Sequence, residues 1–363
     1  MILDKKFWKN KKVLITGHTG FKGSWLSVML HYLKSKIYGY SLDPVRKYNF
    51  FDLAKIKKTY DKDIRHDITD LNFLKKSLKN IKPEIIFHLA AQSSVIESFN
   101  NSSNTVLTNV IGTANILEAA KDISSIKCIV IITTDKVYQN YEKKKYFDEN
   151  SKLGGDDIYS GSKACCEILV NSYRKSFFKN SKCKIATVRA GNCFGGGDWT
   201  PERIVKDSLE NFYNNKTLII RSPEATRPWQ HVIEPLTGYL ILAQKLYSKN
   251  GKNFETAWNF APSLKQNLKV KKFVKILKTK MKSESKIIIK KNFNKIKNNK
   301  ITIFESKHLN INSSKVKKNL KWSPKLSIEK ALDLTIEWYY GFKEKKNLFK
   351  LTTEQIRNYL KIN

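Results

Sequence analysis

Short apolar runs rich in Val and Ile alternate along this chain with longer stretches in which apolar residues recur every three or four positions. In the first half the runs lie at 11–16 (KKVLIT), at 37–43, just before His66, at 84–91 and at 128–134. Runs this short and this continuous, such as 129–132, predict strands buried on both faces. Stretches of helical period lie at 25–33, 104–121 and 159–178. A strand at 185–189, a helix at 231–246 and a strand at 257–260 continue the pattern. Strands alternating with helices predict a parallel, doubly wound α/β sheet. Ligands of such sheets bind beyond the carboxyl ends of the strands, so the residues that follow each run are the place to look for chemistry.

The first run leads into Gly17-His18-Thr19-Gly20-Phe21-Lys22-Gly23 and then into a helix. Backbone amides at a helix start hold a pyrophosphate without side chains. Glycines let the turn be tight and the phosphate close. The spacing is GxxGxxG, not the commoner GxGxxG. The second run ends at Asp43, 26 residues past Gly17. A carboxylate there suits ribose hydroxyls and repels a 2′-phosphate, which favours NAD over NADP. Arg46 nearby tempers that preference, and a turn aspartate before Pro44 is the plain alternative. Asp67, after the third run, is a candidate for the adenine.

Tyr159 and Lys163 stand four apart, on one face of a helix. An ammonium beside a phenol favours the phenolate and would lower the tyrosine pKa, making it a base for a sugar hydroxyl. In a lysine-rich chain the pair also arises by chance. The glycine turn upstream gives it weight, and Thr134, at the end of its run, is expected beside Tyr159.

The net charge is +36, and 60 of the 68 basic residues are lysine. The lysines are scattered, and a phosphate-reading protein would use more arginine. No nucleic-acid partner is expected. The stretch 290–300 (KKNFNKIKNNK) is expected to be a solvated loop or hairpin turn. Three of the eight arginines, Arg203, Arg221 and Arg227, fall close together after the Gly195–Trp199 loop. Guanidinium forks hold phosphate bidentately, so this stretch is expected to bind a diphosphate. Five cysteines without metal spacing point to reduced thiols, no metal and a cytoplasmic protein. No apolar run approaches the length of a membrane span, and the N-terminus carries no signal core.

The motifs GHTGFKG (17–23), HLAAQ (88–92), TTDKVY (133–138), YSGSK (159–163), RAGNCFGGGDW (189–199) and RPWQHVIEPLTGYL (227–240) resemble the extended short-chain dehydrogenase/reductase family. Within it the chain is similar to the sugar-nucleotide 4,6-dehydratases, and most to the branch acting on CDP-glucose. The resemblance implies a Rossmann-like fold with a smaller mixed α/β substrate lobe. The NAD domain would span 1–190 with 229–262 returning to it, the lobe 191–228 and 263–345, and a peripheral helical tail 346–363. It implies catalysis by Thr134, Asp135, Lys136, Tyr159 and Lys163. NAD would be held by Gly17, Thr19, Gly20, Phe21, Lys22, Gly23, Asp43, Asp67, Ile68, Leu89, Ala90, Ala91, Gln92, Asn109 and Thr133, with Tyr159 and Lys163. The nucleotide sugar would meet Ser93, Asn192, Gly197, Trp199, Arg203, Arg221, Arg227 and Gln230. Relatives acting on dTDP-glucose carry Glu where this chain has Lys136, which leaves the C5 base open. A dimer or dimer of dimers through the helices at 104–121 and 159–178 is implied. A 4-epimerase and a non-catalytic nucleotide binder are the rival readings.

Overall fold

The structure is a computed structural model that describes residues 3–44, 46–142, 146–263, 266–289 and 306–362. Seven strands, β1 Lys12–Thr16, β2 Lys36–Ser41, β3 Lys62–Arg65, β4 Ile85–His88, β5 Cys128–Ile132, β6 Lys184–Ala190 and β7 Ala257–Phe260, form one sheet in the order β7-β6-β5-β4-β1-β2-β3. All pairings are parallel, with Val13 beside both Ile37 and Ile85, and Val130 beside both Phe87 and Ala186. The order reverses between β1 and β4, the point at which such sheets open a crevice for ligands. Every residue of β5 is buried. Helices cover both faces and create two apolar cores, one centred on Trp25, Val130 and Leu240, the other on Ile86, Ile116 and Ile129.

β7 is the edge strand of the sheet, and the helix before it packs against the sheet. That helix, Ile233–Tyr247, is buried along most of its length, and β7 pairs with β6. The helical run after β4 proceeds through Ser102–Val106, a π-helical turn at Leu107–Ile111 and Gly112–Ala120. Such turns insert a residue into the helical ladder and often accompany functional sites. Here the turn carries Asn109, fully buried.

The smaller lobe holds helices Ile204–Tyr213 and Val270–Lys280. Strand Leu218–Ile220 pairs in parallel with Ile287–Ile289, and Thr226–Pro228 pairs antiparallel with Asn267–Lys269. Trp229 stacks on Phe273 with ring centroids 4.0 Å apart, tying the lobe's strands to its helix. The expected loop at 290–300 lies outside the described residues. The C-terminal segment is not the peripheral tail expected of it. Helix Leu348–Tyr359 buries Leu348, Thr352, Gln355, Ile356 and Tyr359, and the Tyr359 hydroxyl donates to Glu234 Oε2 at 2.6 Å. No described helix is long and apolar enough to cross a membrane.

Candidate active site

A single cleft of about 670 Å³ runs along the carboxyl ends of β1–β6 and under the smaller lobe, within the size range of small-molecule sites. Gly17 forms its floor with φ +69°, and a Cβ there would lie 2.6 Å from the Ala90 nitrogen. Only glycine lets the ends of β1 and β4 come this close. Gly20 caps helix Phe21–Tyr32 with no side-chain acceptor, so the first-turn amides are left for a ligand in the cleft. Thr19 Oγ1 holds Ser41 Oγ at 2.9 Å and donates to the Leu42 carbonyl at 3.1 Å, pinning the loop that carries Asp43.

Asp43 is 82% exposed and stands 3.6 Å from the Arg65 guanidinium. Arg65 in turn bonds Asp63 at 2.8 Å, and Asp63 accepts His18 at 2.8 Å. The cation beside Asp43 is therefore Arg65, which the sequence reading overlooked. Arg46 lines the cleft but reaches Thr200 Oγ1 at 3.3 Å. Asp67 also lines it, with Oδ1 already accepting the Thr69 amide and hydroxyl, both at 2.8 Å. Ile68, Leu89, Ala90, Ala91 and Ser93 complete this wall.

Gln92 and Asn109 do not line the cleft. Asn109 Oδ1 accepts the Gln92 amide at 2.8 Å, and Asn109 Nδ2 donates to the Gln92 carbonyl at 3.0 Å and to Ser162 Oγ at 2.9 Å. Both ends of its carboxamide are consumed in clamping the loop after β4 onto the helix that bears Tyr159 and Lys163.

That helix, Ile158–Ser176, starts at Asp157, which accepts the Ser160 amide at 2.9 Å and hydroxyl at 2.6 Å. Tyr159, Lys163 and Glu167 follow at intervals of four, all buried. Lys163 Nζ donates to the Ile132 carbonyl at 3.0 Å. Glu167 accepts Arg189 Nε at 2.9 Å and Nη2 at 2.8 Å, and the hydroxyls of Thr133 and Thr187 at 2.6 Å each. Burial raises the Glu167 pKa, but the Arg189 hydrogen bond and charge outweigh it and hold the carboxyl below its usual range. Its spacing from Tyr159 and Lys163 was the signal that could have found it.

The expectation for the Tyr159 pKa is overturned. Burial pushes it up to about 12, while the Thr134 hydroxyl and the Arg203 charge pull the other way and Asp135 and Asp157 add to the rise. Lys163 is itself lowered by burial, with Lys22 adding to that effect. Asp135 is buried, which raises its carboxyl pKa against Lys136, Thr134, Arg227 and Lys22. Its Oδ1 accepts Thr134 Oγ1 at 3.1 Å, and Oδ2 has no hydrogen-bond partner among the described residues. A Cβ on Gly191 would fall 2.6 Å from that oxygen, so the glycine keeps its approach open. A carboxyl whose pKa burial raises suits a general acid better than an exposed one. Lys136 lines the cleft beside it.

The opposite wall holds Asn192, Arg203, Arg221 and Arg227. Arg221 Nη1 lies 3.3 Å from Glu202, and the buried Arg227 donates to the Thr226 carbonyl at 2.9 Å. Gly197, Trp199 and Gln230 stand behind this wall. Gly197 (φ +85°) packs on Phe50, and Trp199 packs on Phe342 at 4.8 Å between ring centroids. Gln230 Nε2 donates to the carbonyls of Gly191 at 3.1 Å and Phe260 at 2.9 Å. They shape the loops of the wall without facing the cleft. Among the described residues no group of His, Cys, Asp and Glu could hold a metal ion.

A family profile described as GDP-mannose 4,6 dehydratase matches residues 14–335. The chain is 36% identical to CDP-glucose 4,6-dehydratase of Salmonella typhimurium over 99% of both chains. It is 28% identical to human dTDP-D-glucose 4,6-dehydratase over 94% of this chain and 93% of that one. Among solved structures, a Bacillus anthracis dTDP-glucose 4,6-dehydratase in complex with NAD superposes with a TM-score of 0.75 at 24% identity, covering 93% of this chain and 99% of the other. The Streptomyces venezuelae dTDP-glucose 4,6-dehydratase with NAD bound gives 0.76 at 21%, with the same coverage. These two likenesses speak for the fold.

Proposed function

The chain belongs to the GDP-mannose 4,6 dehydratase family, and from that membership and the cleft we propose that it dehydrates CDP-glucose to CDP-4-keto-6-deoxyglucose with NAD as cofactor, a step of deoxysugar biosynthesis. The observation that carries this reading is the convergence of Tyr159, Thr134, Asp135 and Lys136 in one cleft, between a glycine turn and a wall of arginines.

The residues fit a dinucleotide. The Gly17 cradle would be filled by a Cβ, the Phe21 helix start is uncapped, and Asp43 is open for ribose hydroxyls. Gly20–Gly23 would hold the pyrophosphate, and Lys163 the ribose nearest the reacting end. The chemistry this cofactor supplies when bound is removal of a hydride from C4 of the sugar and its return to C6. The chain's own residues move the protons. Tyr159 takes the proton from O4 while the Thr134 hydroxyl holds that oxygen. The resulting 4-ketone acidifies C5–H. Lys136 removes that proton, and Asp135 donates one to the departing C6 hydroxyl, which leaves as water. As C6 is reduced Lys136 returns a proton to C5, the proton taken by Tyr159 passes to solvent and Asp135 regains one from it. Arg203, Arg221 and Arg227 anchor the diphosphate.

Incubation with CDP-, dTDP-, GDP- and UDP-hexoses followed by mass spectrometry tests this reading. CDP-glucose losing one water supports it. An unchanged mass with a new sugar would make the protein an epimerase, and no reaction with any of them would favour a binder.

We read the protein as a cytoplasmic homodimer. Its five cysteines are free. Helix Ser102–Val106, the π-turn after it and the Tyr159 helix expose Val106, Leu107, Ile111 and Ile168, the last 58% open, an apolar face that a second copy would cover. Analytical ultracentrifugation of wild type and Ile168→Glu checks this. The variant is expected to sediment as a monomer.

A further inference from the structure

We infer that Asp207 reads the base of the nucleotide, accepting the exocyclic amine of cytosine and turning away uracil and thymine. The inference rests on the proposed nucleotide-sugar reading and specifies the base.

Asp207 lies in the first turn of helix Ile204–Tyr213, and its backbone amide donates to the Arg203 carbonyl at 2.9 Å. The two residues are therefore one helical turn apart on one face, and both line the cleft. Arg203 is close enough to Tyr159 for its charge to act on the phenol, whereas the Asp207 carboxyl, raised by burial, is pulled down by Lys206 and then by Arg221. The face thus runs from the reacting sugar outwards, past the arginines. Around its outer end the cleft is lined by Ile219, Ile220, Val270 and Trp229, an apolar slot of the kind that sandwiches a flat ring.

A carboxylate is out of place if this end of the cleft only holds a diphosphate, because it repels the anion that the arginines attract. Its ion pair among the described residues is the longer contact of a shared lysine. Lys206 stands 3.6 Å away but makes its shorter contact, 2.8 Å, with Glu210. The Asp207 side chain is 34% exposed, so it is open to a ligand. An ionised carboxylate only accepts hydrogen bonds. Cytosine presents an amino donor at ring position 4, where uracil and thymine present a carbonyl oxygen. Asp207 would attract the first and repel the other two.

Titration calorimetry of the full-length protein with CDP, UDP and dTDP tests this. Wild type should prefer CDP to UDP by roughly tenfold or more, the usual discrimination of one base contact. In Asp207→Asn, whose carboxamide can turn either its oxygen or its amine to the base, the ratio should collapse to within about threefold. Asp207→Ala should weaken CDP and, with the repulsion gone, tighten UDP. A CDP preference kept by both variants, or equal weakening of CDP and UDP, would overturn the role of Asp207. The second result would assign the carboxylate to the ribose or to the helix. A wild type that does not prefer CDP would instead remove the CDP-glucose reading beneath it.

Discussion

Burial pushes the Tyr159 phenol up to about 12 in the protein alone. A base is useful only in its deprotonated form, and the deprotonated fraction grows as pH climbs towards the pKa. The rate kcat/KM should therefore still be rising with pH across the neutral range. A plateau already reached at pH 7 would mean that bound ligands lower the phenol pKa much further than burial raises it. Tyr159→Phe should keep the fold and the cofactor, lose at least a few hundredfold in rate, and lose the rising limb. Arg227 is buried and fork-shaped, so Arg227→Lys keeps the charge but loses bidentate geometry. The Kd for CDP-glucose should rise by the equivalent of about 1.5–3 kcal/mol, measurable by calorimetry. An unchanged Kd would place the diphosphate elsewhere. Lys136→Met separates the two halves of the reaction. It should stop solvent deuterium from entering C5 while a single oxidation at C4 still proceeds. Normal dehydration by this variant would acquit Lys136 as the C5 base.

At the scale of elements, the Tyr159 helix is fixed by what lies under it. Glu167 closes the face that carries Tyr159 and Lys163, and its carboxylate is satisfied by Arg189, Thr133 and Thr187. Breaking such a pair leaves a buried guanidinium uncompensated. Glu167→Gln should cost about 3–5 kcal/mol in urea unfolding. Because the folded pKa is depressed, this stabilisation is present above the unfolded pKa, near 4.5, and is lost as pH falls through the lower folded value. The wild-type advantage over the variant should therefore shrink only in acid. The seven strands were legible as short runs between helical stretches, but three of those runs extend past the strand ends. The run at 84–91 ends as a strand at His88, that at 128–134 at Ile132, and that at 37–43 at Ser41. The surplus residues leave the sheet and form the cleft wall, where an apolar or small residue looks like more strand. The pairing of Glu167 with Arg189 and the clamp made by the Asn109 carboxamide were illegible, because those partners come from distant segments that only folding brings together.

At the scale of the whole molecule, the reaction needs two walls that face each other. The Rossmann-like sheet supplies Thr134, Asp135, Tyr159 and the glycine turn, and the smaller lobe supplies the arginines and Asp207. The C-terminal helix packs against the helix that follows the glycine turn and bonds Glu234 through Tyr359, which joins the end of the chain to the cofactor side. Its burial was hidden in sequence because an amphipathic helix does not announce its partner. The central claim is that one catalyst oxidises C4, expels water across C5 and C6, and reduces C6 within the same site. CDP-glucose carrying deuterium at C4 tests all three at once by mass spectrometry and NMR of the product. The account predicts a product lighter by one water, with the deuterium now on C6 of the same molecule. Deuterium that stays on C4 of a sugar of unchanged mass, or that is lost to solvent, would contradict it.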